Sequence, residues 1–453
     1  MLHAGSWSLG GHVLSQVIRL GSNLVLTRLL LPDAFGLLSI VIVLMIGFAL
    51  FSDLGIGQNI VRSSRGDDPS FLNTAWTVQI LRGFVIWAVA LLVAAALPVA
   101  AAWAWIKPGT VYADPSLPWV IAAFSLTAAI SGFTSTKVST ARRHMMLRPI
   151  IQIDIIGQLV ALVVMVPLAW WSHSIWALVI GSLVSCFVGT VLGHTLLAGQ
   201  PNKLAWDRTA LRDLAGFGKW VFLSSMIGFM VVNGDRLLLG GLIDAQAMGL
   251  YTIAFLLVNA VQMVMAMASG NVVFPALSEV MRDRPGDLAA TANKFQRVGD
   301  LFLVTACGFL IPAGSAIVGL LYDSRYQAAG PMLSILAIGT IGLRYQVIEQ
   351  CYLAMGKPQV GTITSLLRLL VLYVGLPIGF HYYQFSGALA AIVASQFAGW
   401  PAAIYFKLRY RLMDLRVELL AVPPLALGLL LGFAFQYASP SRQVLRSLFV
   451  HSL

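Results

Sequence analysis

Charge is what this chain lacks. Of its 453 residues only 10% are Asp, Glu, Lys or Arg, and 58% are hydrophobic, whereas a soluble domain carries about 25% charged residues. No single globular core could hide so much apolar surface, which excludes a soluble domain as the body of the chain. Cysteine is as sparse: Cys186, Cys307 and Cys351 each lie inside an apolar run with no CxxC spacing, so they read as packing groups and no metal site is expected. A cleavable leader is not expected either, because the first apolar segment is too long and runs directly into a helical hairpin.

What is present is a series of apolar runs of about 20 residues, the length that crosses a bilayer as a helix. Spans are expected near 10–31, 36–61, 73–101, 118–140, 150–171, 174–198, 214–241, 246–274, 297–322, 328–354, 360–381 and 384–406. A thirteenth apolar stretch, 417–436, contains Pro423-Pro424 and either spans or lies as a hairpin. The net charge of +11 sorts by loop. Nineteen Lys and Arg fall in the even-numbered loops and their flanks, against Lys107 and Arg325 in the odd ones, with Arg28 at the first hairpin's edge. The positive-inside rule then puts the even loops and the N-terminus in the cytoplasm, which explains the basic balance by topology without a nucleic-acid partner. Trp103, Trp105, Trp119, Trp170, Trp171 and Trp176 fall at span ends, as interfacial belts do.

Part of the pattern recurs. Leu26–Ile40 reads LTRLLLPDAFGLLSI and Asp235–Ile253 reads DRLLLGGLIDAQAMGLYTI, with Gly36 and Gly249 standing 213 residues apart. Ala141 and Ala354 keep the same spacing, and Ser185 and Ser395 differ from it by three. Pro32 lacks the N–H that a helix interior needs and Gly36 tolerates close backbone approach, which predicts a short helical hairpin there. The recurrence predicts tandem six-helix lobes at 1–200 and 210–410, followed by an apolar segment and tail at 411–453. Because each lobe has an even number of spans, their pseudo-twofold axis runs along the membrane normal. The expected class is therefore an all-α polytopic membrane protein of two six-helix lobes plus a candidate thirteenth helix.

Ionisable residues inside the expected spans carry the functional argument. Arg19, Asp53, Arg82, Asp154, Asp235, Arg236, Arg344, Glu349 and Arg368 sit where an ionised group costs at least about 2.5–3.5 kcal/mol, so each must face water or a partner. Arg19, Arg82, Arg344 and Arg368 come from four spans, two per lobe, as a polar cleft between lobes would require. Four guanidinium forks in one wet cleft suit phosphate oxygens. The plainer alternative is ion pairing with Asp53, Asp154, Asp235 and Glu349. Tyr345, Glu349 and Tyr352 share a helical stripe, as do Thr364, Ser365 and Arg368, which reads as cavity lining or as interhelical bonding. Asp53 sits among Gly47, Gly55 and Gly57 and either couples H⁺ or Na⁺, a role also open to Asp154 and Asp235, or caps a helix after a break. Arg142, Arg143, His144 and Arg148 either bind anionic lipid heads or simply set topology.

The stretches LTRLLLPDAFGLL, FSDLGIGQNIVRS, FGKWVFLSS, GDRLLLGGL, AMGLYTIAF, VVFPALSEV and LAMGKPQ, in this order over residues 6 to 410, resemble the polysaccharide transporter family. These are lipid-linked oligosaccharide flippases of the multidrug/oligosaccharidyl-lipid/polysaccharide exporter superfamily. The resemblance implies two six-helix lobes around a cationic cavity, at which Arg19, Arg82, Arg344, Arg368, Glu349 and Tyr345 are the substrate-binding candidates. It implies alternating-access transfer of an undecaprenyl-pyrophosphate-linked repeat unit to the outer leaflet of a bacterial inner membrane, for exopolysaccharide, capsule or O-antigen synthesis. It also implies no catalytic residue and no cofactor, with membrane lipids, a polymerase and export machinery as partners of a monomer. The family often has fourteen spans; this chain is read as thirteen or fewer. A multidrug-type exporter of the same superfamily shares the fold, but arginines in its cavity would repel organic cations. A membrane polymerase or ligase is expected to carry its active residues on a sizeable outer loop. Here the longest, roughly Ala102 to Leu117, has no clustered acids, His or Arg.

Overall fold

The computed structural model describes residues 2–52 and 55–438. Every regular element among them is helical. Among the described residues, nine helical segments are long and apolar enough to cross a membrane, or ten if the bent pair Leu117–Gly132 and Lys137–Arg143 is one span. The chain is thus a multi-pass membrane protein, and it divides into two compact units, Met1–Gln246 and Ala247–Leu453.

The N-terminal unit runs α1 (Leu2–Leu29), α2 (Pro32–Phe51), α3 (Ile56–Arg62), α4 (Pro69–Ala102), α5 (Leu117–Phe124), α6 (Leu126–Gly132), α7 (Lys137–Arg143), α8 (Leu147–Ser172), α9 (Trp176–Thr195) and α10 (Arg208–Gly240). The first hairpin is tighter than expected. Pro32 opens α2 instead of lying in the turn, because at the first helical position its missing N–H has no partner to lose. Only Leu30 and Leu31 connect α1 to α2. The fourth expected span is broken, with α7 turned by 62° from the α5–α6 segment. Among the packed pairs are α1 with α8, α8 with α9, and α4 with α5 and α6. The helix α10 packs on α2, where Phe229 meets Phe51 edge to face at 5.5 Å.

A polar clamp fixes the connector into α10. The side chains of Asn73, Thr74 and Thr77 on α4 accept from the backbone N–H groups of Lys203, Asp207 and Ala205 respectively, at 2.9–3.1 Å. Arg65 ties the same segment from the other side, donating to Asp68 at 2.9 Å and Asp207 at 3.0 Å. The Asp207 carboxyl is held below its ordinary 3.8 by the Thr209 hydroxyl and by Arg65. Arg65 does the same to Asp68, and the His144 ring does it to Asp67. A carboxyl depressed on folding stabilises the folded form above its unfolded pKa, and that contribution disappears as pH falls through the folded value. The amides of Lys203, Ala205, Asp207 and Thr209 should therefore keep their hydrogen-exchange protection from pH 7 down to about 4 and lose it progressively below, and Asp207→Asn should weaken it already at pH 7.

The C-terminal unit comprises α11 (Ala245–Ala268), a π-turn (Ser269–Val273), α12 (Phe274–Asp283), α13 (Leu288–Leu321), α14 (Ala329–Ile341), a 3₁₀ turn (Gly342–Tyr345), α15 (Gln346–Ala354), α16 (Gln359–Phe397), α17 (Trp400–Arg409), α18 (Leu415–Leu419) and α19 (Val422–Ala438). Non-helical backbone at Tyr383 and Gln384 divides α16 in two, so the eleventh and twelfth expected spans are its two arms, the second continuing into α17.

Helices α18 and α19 form one segment long enough to span, 415–438, and α19 docks along α13. The docking depends on bare backbone. A Cβ on Gly308 would stand 2.9 Å from the Leu425 carbonyl oxygen, while Cβ atoms on Gly428 and Gly432 would overlap the carbonyls of Thr305 and Phe309. Gly428→Val should therefore cost about 1–3 kcal/mol, seen as faster proteolysis between Leu412 and Val422 with α1–α10 unaffected.

Candidate functional site

In the N-terminal unit a cavity of about 470 Å³ opens between α2, α3, α4, α6 and α9. Its size falls within the roughly 300–1,000 Å³ of ligand pockets. Gln79, Arg82, Thr127, Ser131 and Ser139 give it a polar side, and Met45, Ile46 and Ile86 an apolar one. Among the described lining residues Arg82 is the one ionised side chain. Its guanidinium donates to Ser52 Oγ at 3.1 Å and to the Ala49 carbonyl at 2.6 Å, at the C-terminal end of α2. Both of these acceptors are neutral dipoles at a helix end. One turn earlier on α4, Gln79 bridges the break after α6 by donating to the carbonyls of Ser131, Gly132 and Thr134 at 2.9–3.3 Å. Close approach of α4 to α6 at Gly83, where a Cβ would stand 2.6 Å from the Ala128 carbonyl, brings both side chains to the cavity wall.

Elsewhere in this unit the candidates are dispersed. Arg19 is exposed on α1 and Asp154 is exposed on α8. Asp235 is buried on α10, 3.9 Å from Arg236, which donates to Asn233 at 2.8 Å. Asp53 lies outside the described residues.

The C-terminal unit treats its cations differently. Arg344, 7% exposed, sits in the 3₁₀ turn and makes a two-pronged contact with Asp300 of α13 at 2.7 and 3.2 Å. Its remaining terminal nitrogen reaches Glu418 of α18 at 3.1 Å. Glu418 also accepts from Tyr345 Oη at 3.0 Å and from the fully buried Lys407 at 2.5 Å. Lys407 in turn donates to Gln296 at 2.8 Å. Both cations lie over the Tyr345 ring, at 5.3 and 5.4 Å from its centre. A second pair, Arg368 with Glu349 at 3.4 Å, is supported by Thr364, which donates to Glu349 at 2.9 Å. Thus Arg344, Tyr345, Glu349 and Arg368 stand in two carboxylate-saturated clusters of the C-terminal unit. Three members, Asp300, Lys407 and Glu418, went unrecognised in the sequence.

A profile of the polysaccharide biosynthesis protein family matches residues 25–331, well over half the chain. The chain belongs to this family. The resemblance to polysaccharide transporters that the motifs carry is therefore sound. Teichuronic acid biosynthesis protein TuaB of Bacillus subtilis (strain 168) is 21% identical over 169 residues, 34% of this chain and 35% of that protein. The chain thus aligns with about a third of that relative's length. In fold it is similar to the lipid II flippase MurJ in an inward closed conformation, at TM-score 0.64, 13% identity and coverage of 98% of this chain and 99% of that one. An inward-facing multidrug resistance MATE family transporter of the MOP superfamily matches at TM-score 0.62 and 16% identity, over 90% of this chain and 95% of that one. The all-helical polytopic fold resembles those of both proteins.

The contrast between the two units gives different expectations for their arginines. Removing one partner from a buried ion-pair cluster leaves an uncompensated charge and costs about 3–5 kcal/mol. Arg344→Ala should lower the unfolding temperature of the purified chain and its abundance in the membrane, whereas Arg82→Ala, at a half-buried position on the cavity wall, should change both less.

Proposed function

We propose that this chain is a flippase that moves a polyprenyl-pyrophosphate-linked oligosaccharide from the inner to the outer leaflet of a bacterial plasma membrane, for assembly of a surface polysaccharide. The observation that carries this reading is Arg82: a guanidinium on the wall of a ligand-sized cavity inside a membrane-spanning unit. Such a group attracts a phosphate and supplies several donors to it. The same charge opposes an organic-cation cargo, which ranks the multidrug-exporter reading second.

Transfer needs no covalent step, because the barrier is the passage of a charged, hydrated head group through hydrocarbon. The polar side of the cavity would replace part of that hydration, and its apolar side and the surrounding lipid would accommodate the tail. Lobes at 1–200 and 210–410 would alternate access, with the N-terminus in the cytoplasm. Exposed Arg19 is a further candidate contact for phosphate. Asp53, Asp154 and Asp235 remain candidates for ion coupling. The family profile, the teichuronic acid relative and the MurJ-like fold all support a cargo built of lipid and sugar.

The test replaces the chromosomal copy by Arg82→Ala and by Arg82→Lys, and follows inner-membrane lipid by thin-layer chromatography. A lost charged hydrogen bond worth about 1.5–3 kcal/mol predicts that Arg82→Ala reduces surface polysaccharide tenfold or more. Lipid-linked precursor should accumulate at unchanged protein abundance, with Arg82→Lys intermediate. Normal polysaccharide and no precursor in both variants would refute the assignment.

A further inference from the structure

We propose that Arg344, Lys407, Tyr345 and Gln296 form a binding site for a phosphate oxyanion, and that Glu418 is the internal anion holding this site when no ligand is bound. Donors from the 3₁₀ turn and from α17 converge on one carboxylate: Arg344 at 3.1 Å, Tyr345 at 3.0 Å and Lys407 at 2.5 Å. The set is larger than the carboxylate uses. Gln296 is fully buried on α13 beside Lys407, and its Nε2 has no hydrogen-bond partner among the described residues. A carboxylate offers two oxygens, whereas a phosphate presents its oxygens tetrahedrally and can reach an additional donor.

Charge points the same way. Without Glu418, Asp300 is the carboxylate among the described residues that faces Arg344 and Lys407, leaving one net positive charge, which suits a phosphodiester or one phosphate of a diphosphate. Asp300 would keep the Arg344 fork in place through both contacts during the exchange.

The element that carries Glu418 is short. Helix α18 has five residues, of which Val417 alone is buried. Leu415 and Leu419 on either side are 68% and 70% exposed. Its remaining ties are the helix-capping Asp414, which reaches Arg297 at 3.4 Å, and the Leu412 carbonyl, which accepts from Asn293 at 3.1 Å. Displacing Glu418 therefore disturbs a short segment between α17 and α19, while the docked glycine face of α19 can stay on α13.

The choice of phosphate as ligand rests on the transport reading, but the test is a binding measurement that Arg82 does not enter. The full chain is placed in phosphatidylcholine nanodiscs and titrated with inorganic pyrophosphate. In a second arm it is placed in phosphatidylglycerol nanodiscs without pyrophosphate. Hydrogen exchange should rise over 412–420 in whichever arm supplies the natural occupant, separating a soluble or substrate phosphate from a lipid head group. Glu418→Gln should bind pyrophosphate at least tenfold more tightly than wild type. Tyr345→Phe, which keeps the ring against Trp400, should weaken that binding severalfold. Unchanged exchange over 412–420 in both arms would overturn the proposal, even if Glu418→Gln bound pyrophosphate elsewhere. Should Glu418→Gln fail to fold, the wild-type exchange alone decides. Loss of transport in Arg82 variants alongside unchanged exchange would leave the flippase reading standing and remove this site.

Discussion

An ionised side chain cannot be left alone in hydrocarbon, and that constraint orders both units of this protein. Transfer of an unpaired guanidinium from water into apolar surroundings costs far more than any one packing contact returns. Every buried cation must therefore be bonded to something, and the choice of partner decides what it can do next. Arg82 is bonded to a carbonyl and a hydroxyl at the end of α2. Arg344 and Lys407 are bonded to Asp300 and Glu418. The second arrangement pairs each buried cation with carboxylates.

Helix geometry makes these arrangements attainable. Arg82 can reach back to α2 because Gly83 lets α4 lie against α6 at backbone distance, and because the breaks after α6 free carbonyls that Gln79 then satisfies. In the C-terminal unit, Asn293, Gln296 and Asp300 fall at i, i+3 and i+7 on α13, one side of the helix. That polar stripe receives the Leu412 carbonyl, Lys407 and Arg344 in turn. Further along α13, the Gly308 face receives α19. One helix thus presents a polar side to the α17–α18 corner and a bare side to the last helix.

The fold was largely legible because span length, loop charge and hydropathy are properties of the sequence itself. Arg82, Arg344 and the Arg368–Glu349 pair could be singled out for the same reason: a charge in the middle of an apolar run has no inexpensive explanation. Asp300, Lys407 and Glu418 were missed because they lie near the ends of apolar runs. There a side chain can equally well extend to the aqueous interface, as Lys and Arg stems commonly do. Lys407 in particular looks like a topology charge in RLMDLR-rich sequence and is in fact fully buried. The turn of a chain end inward or outward is fixed by tertiary packing, here by the short helix that brings Glu418 back, and no local pattern encodes it. The clamp around Asp207 was hidden likewise, since its partners on α4 lie more than 120 residues away.

Transport sets a requirement on charge that static stability does not. A site that holds an anion must gain enough from it to offset lost hydration and yet release it, so a large uncompensated charge is as unsuitable as none. In the proposed transport a guanidinium held at a helix end would meet this by partial means: the carbonyl stabilises the cation, and an arriving phosphate would replace water. A guanidinium and an ammonium sharing carboxylates meet it by exchange. One anion leaves as another arrives, and the net change in Coulomb energy is the small difference between two large terms. The exchange mode is selective for ligands that match the donor geometry more fully than the resident carboxylate does. Sequence composition alone cannot distinguish these modes, because both begin with an arginine in an apolar helix; the distinction lies in whether the partner that folding delivers is a dipole or a charge.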